Sequence, residues 1–400
     1  MRSLYSFRWR RVGFAAATSL LALAGARSIG QVPAEAQVDP LAGVAFNSRH
    51  TDPFTELPEG TEILTPFGER GVFSPDGKSV AFMGQGYGDA FEIDLATRKV
   101  RSLTGAIPNR GFLRVQYLND GNFLLIGART RDGDRDFLRR NRMELWFLDK
   151  AGGKGLVPLN QRLFEGVATS RLSNRIAWME YGPNFTPFKS AKPGYVGGEP
   201  KPDEYSSLYV GDVVVTAKGA EIRNRREVLR KPRTDCLPEP QDFRDGDREL
   251  TFSCYRLKGR ISDPKGSLIT TGVWGVRLDS GAVTRYRGDN FTNYSEPEGI
   301  APNGKWTTVE CGRYALAQWD ICRMDLEPDS RRIRRITQVT EYDGTRATNP
   351  TVSPDGKQMV FQLSNAAEES GVGRGILLMR LPAWTQQPSI PVMPLGSAGE

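Results

Sequence analysis

The sequence predicts an all-β fold: a six-bladed β-propeller of four-stranded antiparallel blades, with the ring closed by an N-terminal strand. Three observations carry that expectation. The run VFSPDGKSVAF at 72–82 recurs as TVSPDGKQMVF at 351–361. Weaker copies of the same turn followed by an apolar strand lie between them. Each copy is followed by a short segment alternating apolar and polar residues, the period of a half-buried strand. One supersecondary unit used several times is the signature of blades.

The residues of the turn explain why it is a turn. Pro75 presets φ for the first central position, Asp76 can bond its own backbone two residues on, and Gly77 accepts positive φ before the next strand. The first unit continues with a strand at 79–82, the alternating FEIDL at 91–95 and an edge strand at 100–104. Equivalent turns are centred on Asp120 and Gly121, Asp245 and Gly246, Asn303 and Gly304, and Asp355 and Gly356. The weakest copy is 171–174, where Asn174 is expected in the left-handed conformation that glycine takes elsewhere. The anchors 77, 121, 174, 246, 304 and 356 are separated by 44, 53, 72, 58 and 52 residues. These Asp and Asn residues read as structural turn residues rather than catalytic carboxylates.

Later strands keep the register. LWFLD at 145, SLYVGD at 207, VWGVRLDSG at 273, DICRMDLEP at 320 and ILLMRL at 376 stand where FEIDL stands in the first unit. The sixth unit runs out after Leu381, and TEILTP at 61–66 matches the closing strands RSLTG and RRITQ. An N-terminal strand completing the last blade abolishes an exposed sheet edge. The propeller is therefore expected over 61–382, preceded by an extended arm at 37–60 and followed by a disordered, Pro-containing tail at 383–400.

The SPDGK-type turn, the short apolar strand after it and the closing LT or IT resemble the repeats of TolB-type β-propellers, a bacterial extracytoplasmic family. The resemblance covers 61–382 and is most specific in the first and last units. It implies a propeller working outside the cytoplasm. TolB proper resembles a propeller preceded by an α/β domain, and fewer than 40 residues lie here between position 37 and the first turn. The family's lipoprotein partner Pal is therefore not carried over.

Residues 1–36 read as a signal peptide. Arg8, Arg10 and Arg11 form a basic start, an apolar stretch begins at Phe14, and small residues place cleavage near 26 or 36. The apolar stretch is short for a permanent span, so no integral membrane span is expected after its removal. The four cysteines, Cys236, Cys254, Cys311 and Cys322, are even in number, as disulfides in an exported chain require. Of three possible connectivities, Cys311–Cys322 across a hairpin with Cys236–Cys254 is the favoured one. The expected location is the periplasm or the extracellular space, and the chain is expected to be monomeric.

Composition narrows the chemistry. Removing residues 1–36 lowers the formal charge from +7 to +3, which gives nucleic-acid binding little electrostatic support. A serine triad would need His50, the single histidine, which lies in the polar arm, and there is no GxSxG elbow. Oligogalacturonate-lyase-like enzymes have similar repeats but hold a metal with several histidines, so no metal, cofactor or catalytic residue is assigned. The run Asp132, Asp134, Asp136 lacks the glycine of a calcium loop and reads as a solvated connection. The long third unit places Phe185, Phe188, Tyr195 and Tyr205 among Pro and Gly, a candidate binding loop. The expected function is non-catalytic binding of an envelope protein or polymer. The alternative is a carbohydrate-active hydrolase or lyase with paired carboxylates in the channel.

Overall fold

The computed structural model describes residues 38–130, 132–184, 201–258, 268–289, 293–369 and 371–393. The expected signal peptide, Phe185, Phe188, Tyr195 and the last residues of the tail lie outside them. Contacts divide the chain into Met1–Val32 and Pro33–Glu400, and the fold described below belongs to the second unit.

Among the described residues the strands form six four-stranded sheets. β1 (Thr61–Thr65) comes first. Blade 1 is β2 (Glu69–Phe73), β3 (Ser79–Met83), β4 (Ala90–Asp94) and β5 (Val100–Ser102). Blade 2 is β6 (Phe112–Tyr117), β7 (Phe123–Ala128), β8 (Met143–Leu148) and β9 (Leu156–Arg162). Blade 3 is β10 (Phe164–Thr169), β11 (Arg175–Tyr181), β12 (Tyr205–Thr216) and β13 (Gly219–Pro232). Blade 4 is β14 (Leu237–Arg244), β15 (Glu249–Lys258), β16 (Leu268–Arg277) and β17 (Val283–Arg287). Blade 5 is β18 (Asn293–Ile300), β19 (Trp306–Arg313), β20 (Gln318–Asp325) and β21 (Ile333–Arg335). Blade 6 is β22 (Thr345–Val352), β23 (Gln358–Asn365), β24 (Ile376–Arg380) and, as its outer strand, β1. β1 runs antiparallel to β24, with Thr61 opposite Met379. The N-terminal strand thus closes the ring.

The turns between the first and second strands are built as their residues dictate. Gly77, Gly121, Gly304 and Gly356 each donate N–H to the carbonyl three residues back at 2.9 Å. Ser74 donates to Asp76 Oδ1 at 2.7 Å, and that oxygen also accepts from Lys78 N at 3.1 Å. The Ser74 bond, then Lys78 N–H, holds the Asp76 carboxyl below the usual carboxylate range. The third turn departs from expectation, because Asn174 is not left-handed. Its side chain is spent on the neighbouring turn instead: Nδ2 donates to Asp120 Oδ2 at 2.7 Å and Oδ1 accepts from Asp120 N at 3.2 Å. In the fourth turn, Asp245 and Asp247 join Gly246 at positive φ.

The hydrophobic core is divided among the blade interfaces. Trp178 and Ile176 of blade 3 pack with Phe147 and Leu145 of blade 2, and Phe361 of blade 6 packs with Trp306 and Ile321 of blade 5. Comparable clusters lie at the other four interfaces. The third unit's extra length goes partly into a long hairpin, β12 with 12 residues and β13 with 14.

Two terminal segments behave differently from the sequence reading. The arm is packed, not extended: Val38 and Leu41 are buried, Arg287 donates to Val38 O at 2.7 Å, and Asn47 N donates to Thr340 O at 3.2 Å. The first described residues of the tail are also ordered against blade 5. Arg323 donates to Thr385 O at 2.6 Å, Ser389 donates to Asp325 Oδ2 at 2.6 Å, and Ile390 is buried. In both cases arginines of the blades capture backbone carbonyls, a partner invisible in the segment's own composition.

The acidic run 132–136 leads into a short helix, α1 (Arg135–Asn141), rather than forming only a loop. Asp134 caps it by accepting from Phe137 N at 2.8 Å, and buried Leu138 pins it to the blade. Two disulfides staple blades 4 and 5. Cys236 and Cys254 have Cα atoms 5.4 Å apart, and Cys311 and Cys322 bridge β19 to β20 with Cα atoms 5.9 Å apart.

Closure by β1 generates a prediction. Leu64 belongs to the cluster between blades 6 and 1, so Leu64→Ala is expected to lower the unfolding free energy by about 2 kcal/mol in urea titration. Deleting residues 38–65 bares the β24 edge and is expected to give concentration-dependent aggregation in light scattering. A truncated chain that stays monodisperse and as stable as the parent contradicts the closure.

Candidate functional site

The innermost strands β2, β6, β10, β14, β18 and β22 surround a central channel, and each has a register shift against its neighbour. A bulge bends the strand and re-aims a side chain. Here the bulges lie at Glu69/Val72, Phe112/Arg114, Phe164/Val167, Pro240/Asp242, Glu298/Ile300 and Thr348/Thr351. Three residues inside them are left-handed: Arg70 with φ 58°, Gly299 with φ 76° and Asn349 with φ 51°. For Arg70 that backbone costs on the order of 1–2 kcal/mol. The polar residues brought to the axis include Glu165, Glu239, Glu298, Arg70, Arg114 and Asn349.

Two cavities occupy the channel. The one at the repeat-turn end has a volume of about 360 Å³ and the one at the opposite end about 170 Å³. Arg70, Arg114, Glu239, Glu298 and Asn349 line both and form the waist. At the turn end, Arg171 crosses the channel from blade 3. Its Nη2 donates to Ile300 O at 2.8 Å and Val352 O at 3.2 Å. Half-buried Asp242 accepts from Ile300 N at 3.0 Å, and desolvation raises its carboxyl to about 6.

The opposite mouth is where the second-to-third-strand connections emerge, including α1. Tyr294 stacks on Trp319 with ring centres 4.8 Å apart and faces Tyr314 at 6.2 Å. Tyr255 and Tyr294 both donate their hydroxyls to Glu296. Arg139 of α1 pairs with Glu165. Asn349 Nδ2 donates to both oxygens of Glu298 at 3.1 Å, and Asn349 N donates to Glu310 Oε1 at 2.7 Å. Gly166 leaves room for Glu239, because a Cβ there would lie 2.1 Å from Glu239 Oε1. Several buried polar atoms lining this mouth have no hydrogen-bond partner: Arg70 Nε and Nη1, Arg114 Nε, Trp319 Nε1, Thr348 Oγ1 and Asn349 Oδ1. Buried polar groups are normally satisfied by protein or by ordered water, so these atoms are open to water or to a polar guest.

The carboxylates of the mouth are not alike. Burial, then the charges of Glu165 and Glu296, pushes Glu239 up to about 8. Burial and Glu296 raise Glu298 to about 7. Burial, with Glu298 and Glu296, carries Glu310 well above the ordinary range. Burial also works against ionisation of Glu165, but Arg139, Arg140, Arg114 and Arg70 outweigh it and hold that group below the usual value. Among the described residues no cluster of three or more His, Cys, Asp or Glu is arranged to hold a metal ion.

The residues singled out from sequence lie elsewhere. Asp76, Asp120, Asp245, Asn303 and Asp355 sit in the turns, and His50 is exposed beside Asp343, 2.8 Å away. Tyr205 opens β12, with Gly182 against its ring and Arg230 over it at 4.3 Å. The channel residues escaped sequence reading because bulges break the alternation that marks a strand's faces. One signal was present: Pro238, Pro240, Pro297 and Pro350 interrupt inner strands, and proline inside a strand points to a bulge.

No protein-family model and no curated protein matches the chain. Solved structures similar to it include a TolB from Agrobacterium tumefaciens, 17% identical over 69% of this chain and 77% of that one, TM-score 0.45. An oligogalacturonate lyase solved with manganese is 12% identical over 86% and 98%, TM-score 0.46. A regucalcin from Agrobacterium tumefaciens, a calcium-binding protein, is 15% identical over 86% and 96%, TM-score 0.43. At these identities and scores the likeness says nothing about activity.

The titration of Glu239 is testable through stability. The group keeps its proton up to about pH 8 in the fold and only to about 4.3 in the unfolded chain. The folded state binds more protons between those values, so stability falls as pH rises through the interval. Glu239→Gln removes that loss. Its urea midpoint is expected to match the parent near pH 5 and exceed it at pH 9, whereas parallel pH profiles contradict the assignment.

Proposed function

We propose that this protein is an exported, non-catalytic propeller that seats a hydroxyl-rich segment of an envelope polymer in the channel mouth opposite the repeat turns. The carrying observation is the convergence there of unpartnered buried polar atoms with the faces of Tyr294, Tyr314 and Trp319. Saccharides suit such a surface, because ring C–H faces stack on aromatics while hydroxyls exchange hydrogen bonds with buried donors and acceptors. The two disulfides fit an oxidising compartment, and no helix among the described residues is long and apolar enough to cross a membrane.

One observation favours the second reading, a carbohydrate-active enzyme. Glu239 is pushed up and Glu165 held down within the same mouth. Two carboxylates whose environments separate their titrations are the arrangement an acid and a base require. Both readings use the same mouth, so product formation distinguishes them.

The test is capture of envelope polysaccharide by the immobilised protein, with assay of the unbound fraction for new reducing ends and unsaturated products. Capture without products is expected. Tyr314→Ala, half-buried at the mouth, is expected to reduce capture about tenfold with an unchanged melting temperature. Products that vanish in Glu239→Gln establish the enzyme instead, and capture unaffected by Tyr314→Ala contradicts the mouth as the seat of binding.

A further inference from the structure

We propose that Arg70 and Arg114 form an oxyanion subsite at the channel waist that takes the acidic group, carboxylate or phosphate, of the bound ligand. This rests on the polymer-binding reading and specifies the ligand's chemistry. Arg70 is 5% exposed and left-handed. Strain of that kind persists only where the surrounding structure holds it, and it clusters at ligand sites. Its Nε and Nη1 donate no hydrogen bond, and the paired carboxylate, Glu69 Oε1, is 3.8 Å from Nε. Arg114 repeats the pattern from the next blade: Nε donates nothing, and its Nη2 lies 3.9 Å from Glu298 Oε1. Glu298 is meanwhile engaged by Asn349 through both oxygens. Both guanidiniums therefore have unspent donors, and both residues line the two cavities.

The charges differ at the two arginines: at Arg114 burial is outweighed by Glu298, Glu239 and Glu165, which raise it, whereas Arg70 is short of compensating charge. Burial and then the neighbouring cations Arg114 and Arg139 depress Arg70 to about 10. An anion between them relieves that repulsion and fits a planar, multi-donor fork. Burial raises Glu239 to about 8 and Glu298 to about 7, so near neutrality Glu239 is mostly uncharged and Glu298 only partly ionised, which weakens both as rival anions. Thr348 Oγ1 and Asn349 Oδ1, both unpartnered, remain to meet ligand hydroxyls. The matching ligand carries an oxyanion and hydroxyls together, as an acidic sugar or a sugar phosphate does.

The test is calorimetric titration of the full chain with glucose, glucuronate and glucose 6-phosphate, a series differing at one position of the sugar, with inorganic phosphate as competitor. An acidic sugar is expected to bind about tenfold or more tightly than glucose. Preference for glucuronate identifies a carboxylate ligand. Preference for glucose 6-phosphate with competition by phosphate identifies a phosphate. Arg70→Gly suits the positive φ and so keeps the backbone unstrained; it and Arg114→Gln are each expected to abolish the preference. Equal affinity for the three sugars, no binding of any probe, or a preference surviving in both variants overturns the subsite. Neutral and acidic sugars bound alike would leave the polymer-binding reading standing, whereas phosphate bound through Arg70 with no contribution from the sugar would sustain the subsite and remove that reading.

Discussion

Everything in this molecule depends on the antiparallel pairing of β1 with β24. Without it the sixth sheet has three strands and a bare β24 edge, and no strand ties the two ends of the ring together. With it the innermost strands are forced around one axis, and each blade must bury its face against two neighbours. The division of the core among blade interfaces follows, with Trp178, Phe361 and their neighbours filling the wedges. So does the convergence at the axis, where six inner strands surround one channel that keeps two cavities. The register shifts re-aim selected residues toward it. Arg70, Arg114, Glu165, Glu239, Glu298 and Asn349 thus owe their meeting to closure.

The two ends of the channel are chemically distinct. At the turn end hydrogen bonds tie neighbouring blades together: Arg171 spans to Ile300 and Val352, Asn174 is tied to Asp120, and Ser170 donates to Asp247 at 2.6 Å. These bonds knit neighbouring turns into a continuous rim. At the other end the connections are longer and carry α1, and donors and acceptors are left over. The unpartnered atoms of Arg70, Arg114 and Asn349 lie at the waist shared by both ends, and those of Trp319 and Thr348 at the mouth alone.

Much of the fold was legible in the sequence because its signals are local. Pro75, Asp76 and Gly77 state a turn within three residues, and TEILTP resembles the closing strands it replaces. Cys311 and Cys322 flank a hairpin at neighbouring register positions, Val309 opposite Cys322 and Cys311 opposite Asp320. What was illegible depends on distant partners. Asn174 looked like a stand-in for glycine, yet its side chain is claimed by Asp120, 54 positions away. The arm and the start of the tail look polar and loose, but Arg287, Arg313 and Arg323 bind them. The waist was hidden because bulged strands lose the period of two, and Arg70 in particular gives no sign in sequence that its backbone is left-handed.

The central claim is that binding resides in the mouth opposite the repeat turns. Hydrogen–deuterium exchange on the chain with and without its captured envelope polysaccharide tests this directly. Binding at the mouth predicts slowed exchange at α1, at 255–256, at 314–319 and at 371–375, with the turns around Gly77, Gly121 and Gly356 unchanged. Protection confined to those turns, or to the β12–β13 hairpin, contradicts it.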